Sequence, residues 1–234
     1  MCLIWGEQAM ATIILDAGHG GNDLGDAYGF RYEKNDNLRL TLALGEELEI
    51  LGYNVVYIRT NDIYVADNDR VQIANRAGGD LLLSIHRIIG EIVVSDSGLA
   101  FFVSELGGVA EEAAINIAEE LRPLGFENYS IEVRTERLLI RDSDMPALLM
   151  GIGHLNSDYD NLQFDTCLQN IAEAIARGIS ETIPLNSDQS DIINKKIKHI
   201  STVEKSVSKE KYLVQIGLFA DYSIAVHMHN ELLN

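Results

Sequence analysis

The sequence is poor in cysteine, in basic residues and in long apolar runs, and each shortage excludes a class of protein. Its 234 residues include two cysteines, Cys2 and Cys167, whose separation matches no metal-binding spacing, and we expect no structural disulfide. Lys and Arg number 18 against 36 Asp and Glu, a net charge of −18, which argues against nucleic acid binding. No run approaches the roughly 18 consecutive apolar residues of a membrane helix, so we expect no membrane span.

The first ten residues, MCLIWGEQAM, lack the basic start and the long apolar core of a secretory signal. We therefore expect the chain to be made in the cytoplasm without a cleaved leader. Met10 stands immediately before the first predicted strand, and we expect residues 1–9 to be dispensable for folding.

Hydrophobic residues make up 47% of the chain, which is ample for a core, and the length suits one medium domain with an appendage. Short apolar runs predict strands, and apolar residues at three- to four-residue spacing predict helices. The predicted strands are 12–16, 53–59, 81–85, 99–103, 138–140 and 147–152. The predicted helices are one capped by Asn35 or Asp36 that ends at Gly52, then 66–77, 110–121 and 164–183. This pattern predicts an α/β fold, a single domain with a twisted, mostly parallel mixed sheet flanked by helices.

The stretch from Ile13 to Lys34, IILDAGHGGNDLGDAYGFRYEK, carries the strongest chemical signal. An apolar strand ends in a glycine-rich turn that holds His19, and Glu33 stands just before the first predicted helix. His86 follows the buried strand 81–85, where α/β proteins place their ligands. Two histidines and a glutamate can supply three protein ligands to zinc and leave a fourth position open for water. Taken singly, each residue also has an ordinary explanation, such as an acid favoured by the helix dipole.

Several motifs occur in an order that resembles one enzyme family. They are LDAGHGG, then YEK at the start of a helix, then SIHR after a strand, and then RTERLLIRDSDMPALLMGIGHLN. Over residues 12–183 the chain resembles the zinc-dependent N-acetylmuramoyl-L-alanine amidases of the cell-wall and sporulation type. The resemblance implies that His19, Glu33 and His86 bind Zn²⁺. It also implies that the substrate is peptidoglycan, cut at the amide between muramic acid and the stem peptide.

Some relatives of this family are phage lysins or sporulation enzymes that lyse the mother cell from within, and these also lack secretory signals. The resemblance therefore implies that this chain acts on the cell wall from inside the mother cell or on lysis.

The resemblance breaks at two positions. Where the family has a glutamate that acts on water at the zinc, this chain has Gly151, and Ile88 stands where the family commonly has asparagine. The catalytic residue is therefore unknown, and hydrolysis is expected to be weak or absent. Because a positioned general base contributes about 10²–10⁴ in rate, Gly151→Glu is expected to raise cleavage by about tenfold or more.

Other acids and bases near the motifs have open assignments. Glu136 and Glu91 are candidates to replace the missing carboxylate. Arg141 is a candidate for substrate binding, and a plain surface charge is the alternative. His154 either enters the cleft or replaces an aromatic residue in packing. Ser84, two residues before the second histidine, is a poor candidate for a nucleophile because no orienting acid is evident.

The alternatives to an active enzyme are a non-catalytic peptidoglycan-binding protein and a decayed amidase. The tail bears on the second alternative. Residues 184–211 are polar and predict a linker. Residues 212–234 resemble the opening strand and helix of a SPOR domain, but a single strand and helix bury too little surface to be stable alone. We therefore expect this segment not to bind glycan.

Overall fold

A six-stranded sheet forms the centre of the protein in the computed structural model, which describes residues 10–90 and 98–185. The strands are β1 Thr12–Ala17, β2 Ala27–Tyr28, β3 Arg31–Tyr32, β4 Asn54–Tyr57, β5 Leu81–Ile88, β6 Gly98–Val103, β7 Asn128–Val133 and β8 Ala147–His154. The helices are α1 Glu33–Leu51, α2 Asp67–Ala77, α3 Val109–Leu121, α4 Leu138–Arg141, α5 Asp158–Thr166 and α6 Leu168–Thr182. Residues 1–9, most of the predicted linker and the SPOR-like segment 212–234 lie outside the described residues.

The strand order in the main sheet is β4-β1-β5-β8-β6-β7. The first four strands are mutually parallel, β6 runs antiparallel to β8, and β7 pairs parallel with β6. Strands β2 and β3 form a separate antiparallel hairpin. The mostly parallel mixed sheet predicted from the sequence is therefore confirmed.

Helices cover both faces of the sheet, which explains why its central strands are apolar without alternation. Ile13 and Leu15 on β1 belong to the larger core cluster, which includes residues of α1, α3 and α6. Ile14, between them, belongs to a smaller cluster that includes Ala74 of α2. Among the described residues, no helix is both long and apolar enough to cross a membrane.

Two helix predictions need correction. Helix α1 begins at Glu33 with Tyr32 as the preceding extended residue, so Glu33 lies inside the first turn and not before it. The closing helix predicted over 164–183 is two helices, α5 and α6, separated at Cys167. Cys167 has φ −114° and ψ 15°, which departs from helical geometry and ends α5.

The strand predicted at 138–140 is wrong, because Leu138–Arg141 forms the short helix α4. Periodicity cannot distinguish a strand from a helical turn in so short an apolar run. The sequence analysis also missed β7 at the edge of the sheet, whose side chains are almost all exposed and give little apolar signal.

Helices α3 and α6 pack closely at Gly178. A Cβ added to Gly178 would lie 2.6 Å from the backbone N and Cα of Ile117. Gly178→Ala is therefore expected to lower the free energy of unfolding by about 1–3 kcal/mol through overpacking, although alanine favours helix. Urea denaturation measures this, with Ser180→Ala on the same helix as a control expected to stay within about 0.5 kcal/mol. A Gly178→Ala protein more stable than the parent would contradict the packing described.

Candidate metal centre

The candidate site lies where β1 ends beside β5. The two strands are parallel partners, with Ala17, the last residue of β1, opposite Ile85. Strand β5 continues to Ile88, so His86 lies within it and not after it as predicted, one residue beyond the last pair with β1. The loop that follows β1 brings His19 close to His86. Glu33, at the start of α1, meets both histidines from the helix side.

The structure brings together the three residues that the sequence analysis singled out as ligands. His19 Nε2 lies 3.1 Å from Glu33 Oε2, and His86 Nδ1 lies 2.9 Å from Glu33 Oε1. One donor atom from each residue lies within 4.8 Å of the others. The imidazole rings meet edge to face, with their centroids 5.1 Å apart. We call His19, Glu33 and His86 the triad.

Gly18 and Gly25 have no side chains, and the triad occupies the space that side chains at these positions would fill. A Cβ on Gly18 would lie 2.2 Å from Cε1 of His86, and a Cβ on Gly25 would lie 2.6 Å from Oε2 of Glu33. Gly25 also has a φ of +62°, which side-chain-bearing residues rarely adopt. Larger residues at these positions would displace the ring and the carboxylate from each other.

His19 itself has a left-handed backbone, with φ 63°, which is uncommon for a residue other than glycine. Two buried arginines hold the loop in this conformation. Arg59 donates from Nε to the carbonyl of Ala17 at 2.8 Å and from Nη2 to that of Gly18 at 3.0 Å. Arg70 donates from Nη2 to the carbonyl of His19 at 2.7 Å. Such contacts over-determine the backbone, which is how a strained conformation persists.

A third cation, Lys34, holds the far side of the same loop. Its Nζ donates to the carbonyl of Gly21 at 2.9 Å and to the carboxylate of Asp62 at 2.7 Å. The other oxygen of Asp62 accepts the Gly21 N–H at 2.8 Å. The loop is therefore fixed by side chains from three different elements of the fold.

Ser84 has a structural role in this arrangement. Its hydroxyl donates to Asp16 Oδ2 at 2.6 Å, and Arg70 donates to the other oxygen of the same carboxylate. Asp16 and Ser84 are both almost fully buried. Asp16 is therefore bonded on both oxygens, and Ser84 contributes to the support of the loop.

Glu33 is buried, with 2% of its surface exposed, and its charge is held by hydrogen bonds. Oε2 accepts the backbone N–H of Asp26 at 3.0 Å, and Oε1 accepts that of Arg87 at 3.2 Å and the amide of Asn37 at 3.3 Å. Burial acts to raise the pKa of Glu33, but the bonds from the two histidines outweigh it and hold the pKa well below its usual range. The carboxylate is thus ionised.

His19 has a partner on each ring nitrogen. Nδ1 lies 2.8 Å from Asp23 Oδ2, which leaves Nε2 facing Glu33. Burial acts to lower the pKa of His19, but the Glu33 and Asp23 carboxylates outweigh it and raise that pKa to about 9. A carboxylate behind the imidazole is the usual outer partner of a metal-ligating histidine.

This donor set fits a divalent metal. Two imidazoles and one ionised carboxylate suit zinc, and three protein ligands are the number found in catalytic zinc sites. The glycines that leave space for the ring and carboxylate, and the outer carboxylate behind one histidine, are further features of such a site.

The triad opens into a pocket of about 510 Å³ whose lining includes two kinds of residue. The polar kind includes the triad, Asp23, Asp26 and Arg87. The apolar kind lies largely on β6 and β8, where Ala100 pairs with Gly151 and Phe102 with Leu149. We call these four residues, together with Ile88 and Ile89, the apolar wall.

Both departures from the family motif lie in the apolar wall and contact each other. Gly151 on β8 is the register partner of His86 on β5, so the position at which the resemblance implies a glutamate is next to the triad. A Cβ on Gly151 would lie 2.9 Å from Cγ1 of Ile88 and 3.8 Å from the carbonyl oxygen of Ala100. Ile88 therefore fills the space into which a side chain at position 151 would extend.

The remaining predicted residues lie elsewhere. Arg141 is exposed and binds the carboxylate of its neighbour Asp142 at 2.7 Å, and it does not line the pocket. Arg137, one turn earlier, lines the pocket, and the sequence analysis missed it. Glu136 is exposed and lies 3.4 Å from Arg134, and Glu91 lies outside the described residues.

His154 also lies outside the pocket. Its backbone N–H donates to Asp160 Oδ2 at 2.6 Å, and its ring Nδ1 lies 3.3 Å from the same oxygen. Asp23 was not predicted as a site residue. It lies four residues after His19 in a glycine-rich turn, and this short separation is a signal that its carboxylate could contact the His19 ring.

A family model for N-acetylmuramoyl-L-alanine amidases matches residues 13–181. The chain belongs to this family. Family membership supports a peptidoglycan amidase function, and the match spans both the triad and the apolar wall.

Individual relatives support the same family assignment. The chain is 31% identical over 218 residues to the sporulation-specific N-acetylmuramoyl-L-alanine amidase of Bacillus subtilis, covering 90% of this chain and 76% of that protein. It is 25% identical to the catalytic domain of the amidase CwlV from Bacillus (Paenibacillus) polymyxa var. colistinus, with a TM-score of 0.66, covering 76% of this chain and all of that domain. Cwp6 from Clostridium difficile is also similar, with 25% identity and a TM-score of 0.66 over 75% of this chain and 30% of that one.

The contact between Ile88 and position 151 can be tested through stability alone. Gly151→Ala is expected to lower the free energy of unfolding by about 1 kcal/mol, because the new methyl group meets Ile88. In an Ile88→Ala background the same change is expected to cost less by at least about 0.5 kcal/mol, which a double-mutant cycle in urea measures. Gly90→Ala is the control, because no atom of the described residues lies within 4 Å of a Cβ on Gly90. Strictly additive costs would show that the two side chains do not meet.

Proposed function

We propose that this chain binds Zn²⁺ through His19, Glu33 and His86 and recognises peptidoglycan at the amide between muramic acid and the stem peptide. The observation that supports it most directly is the triad, in which one buried carboxylate meets two imidazoles at 2.9 and 3.1 Å beside a pocket of about 510 Å³. Family membership supplies the substrate class.

The chain's own residues prepare the site. When bound, zinc supplies Lewis-acid polarisation of the scissile carbonyl. Asp23 holds His19 by its Nδ1 and keeps Nε2 directed at the centre. The N–H groups of Asp26 and Arg87 and the amide of Asn37 hold the Glu33 carboxylate in place. The site is thus rigid before any ligand arrives, which favours catalysis or binding by preorganisation.

Proton transfer is the deficient part of this site. Among the described residues, three carboxylates line the pocket, Asp23, Asp26 and Glu33, and the first and third are bonded to histidines. Of these three, Asp26 is the acid left for proton transfer, and it follows the glycine-rich loop. We therefore propose that hydrolysis is weak, with Gly151 as the cause.

A second candidate function, binding without cleavage, is favoured by a specific observation. Ile88 fills the space next to Gly151, so the wall where the family places its acid is closed and apolar. Such a wall can contact the apolar parts of a muropeptide while it performs no proton transfer. Purified cell wall separates the two functions, since a binder sediments with the wall and releases no stem peptide.

The first test of this function is the metal. His86→Ala is expected to abolish stoichiometric zinc, because it removes one of three donors, whereas His154→Ala should retain one zinc per chain since His154 lies outside the pocket. Elemental analysis after gel filtration, with circular dichroism to show that both variants are folded, measures this. Stoichiometric zinc in His86→Ala would exclude the triad as the site.

The second test is restoration of cleavage. From the sequence alone, Gly151→Glu is expected to raise cleavage by about tenfold or more, and the structure adds a steric condition, because a side chain at 151 meets Ile88. Gly151→Glu combined with Ile88→Asn is expected to raise release of stem peptide from purified peptidoglycan by about 10²-fold over the parent, the lower end for a positioned general base. Gly151→Glu alone should raise it less than the pair.

Ile88→Asn alone is the matched control, since it opens the wall without supplying an acid. If the parent already cleaves as fast as relatives that have the glutamate, the proposal that hydrolysis is weak is wrong. The activity of Asp26→Asn would then show whether Asp26 acts as the base. If the double variant binds zinc and is no faster than the parent, Gly151 is not the main defect.

A further inference from the structure

Arg137 places an unpaired cation in the pocket. It lines the pocket that contains the triad and is largely exposed. Within residues 10–90 and 98–185 it is the one arginine whose guanidinium makes no hydrogen bond or ion pair. An arginine presents five donors in a planar fork that matches a carboxylate, and here that fork is available to a ligand.

The other arginine in the pocket cannot take this role. Arg87 is buried and its guanidinium already binds Asp36, the carbonyl of Ile152 at 2.7 Å and Asn161 Oδ1 at 2.9 Å. It also lies over the ring of Phe164, 4.4 Å from the centroid. Arg87 is therefore a structural cation.

The backbone of Arg137 is fixed although its side chain is free. Arg137 is the residue that precedes α4, and its carbonyl accepts the N–H of Ile140 at 3.1 Å and that of Arg141 at 2.9 Å. The neighbouring acid Glu136 forms its ion pair with Arg134, at 3.4 Å, and interacts with Arg137 only through its charge. The short helix therefore fixes the backbone of Arg137 beside the pocket, while its guanidinium makes no hydrogen bond within the described residues.

The charges and the apolar residues of the pocket indicate which kind of ligand group Arg137 binds. The chain carries a net charge of −18, and Asp23, Asp26 and Glu33 add negative charge to the pocket itself. Among the described lining residues, Arg137 and the proposed metal are therefore the positive charges that an anionic ligand can bind, because Arg87 is already bonded to protein groups. The apolar wall, with Phe102 and Leu149, lowers the local dielectric and strengthens a charge interaction at this place.

We infer that Arg137 binds a carboxylate of the stem peptide and thereby makes this chain select free-acid stem peptides over amidated ones. The inference rests on the proposed function, because it assumes that the amide next to the stem peptide lies at the triad. Arg137 is then a specificity residue. The triad orients the scissile carbonyl, and the apolar wall contacts the aliphatic parts of the ligand. The Arg137 guanidinium binds the free carboxylate of the stem peptide.

The experiment compares two soluble ligands on the zinc-loaded full chain. They are muramoyl-L-alanyl-D-glutamate and the same compound with both glutamate carboxylates converted to amides. Calorimetry measures each affinity, and chromatography of the sample afterwards shows that the ligand is intact. The variants are Arg137→Gln and, as a matched control, Arg76→Gln, which removes an exposed arginine on α2 outside the pocket.

The parent and Arg76→Gln are expected to prefer the free acid by about tenfold, the lower end for a hydrogen bond to a charged group at an exposed position. Arg137→Gln should lose this preference and bind the diamide as well as the parent does. If Arg137→Gln keeps the preference, or if the parent binds both ligands equally, the inference is wrong and the proposed function stands. If the folded, zinc-loaded parent binds neither ligand, the proposed function fails and the inference with it.

Discussion

The contact between one buried carboxylate and two imidazoles organises this protein. Burying an ionised glutamate without partners costs several kcal/mol, so the fold must supply donors on every side of Glu33. It does so from β5 through His86 and the N–H of Arg87, from the loop after β1 through His19, and from the start of the β2–β3 hairpin through Asp26. The position of α1 against the sheet edge therefore depends on charge as well as on apolar packing.

Much of this arrangement could be read from the sequence. Ile13 to Leu15 and Leu81 to Leu83 are apolar on consecutive residues, which a strand shows when both of its faces are covered, and parallel strands bring their ends to one edge. The two histidine candidates follow from that rule, and Glu33 was singled out by its place in the YEK motif at the start of a helix. The edge strand β7 and the single turn α4 gave no comparable signal, because their apolar content is small or too short to show a period.

The supports of the His19 loop were beyond the reach of sequence reasoning for a different reason. Arg59, Arg70 and Lys34 read as ordinary surface charges in an acidic chain, and only the folded structure shows that they donate to carbonyls of the same turn. Every residue has a backbone carbonyl, so a contact to such a group leaves no pattern of residue types in the sequence. The same limit applied to Arg137 and Arg141, whose surroundings differ although they lie four residues apart on the chain.

The close approach of Ile88 to Gly151 couples two positions on neighbouring strands. A glutamate at position 151 would meet the isoleucine, and an asparagine at position 88 alone would place a polar amide against an apolar wall. The effect of a substitution at either position therefore depends on the residue at the other. Any redesign of this wall has to treat the two positions as one unit.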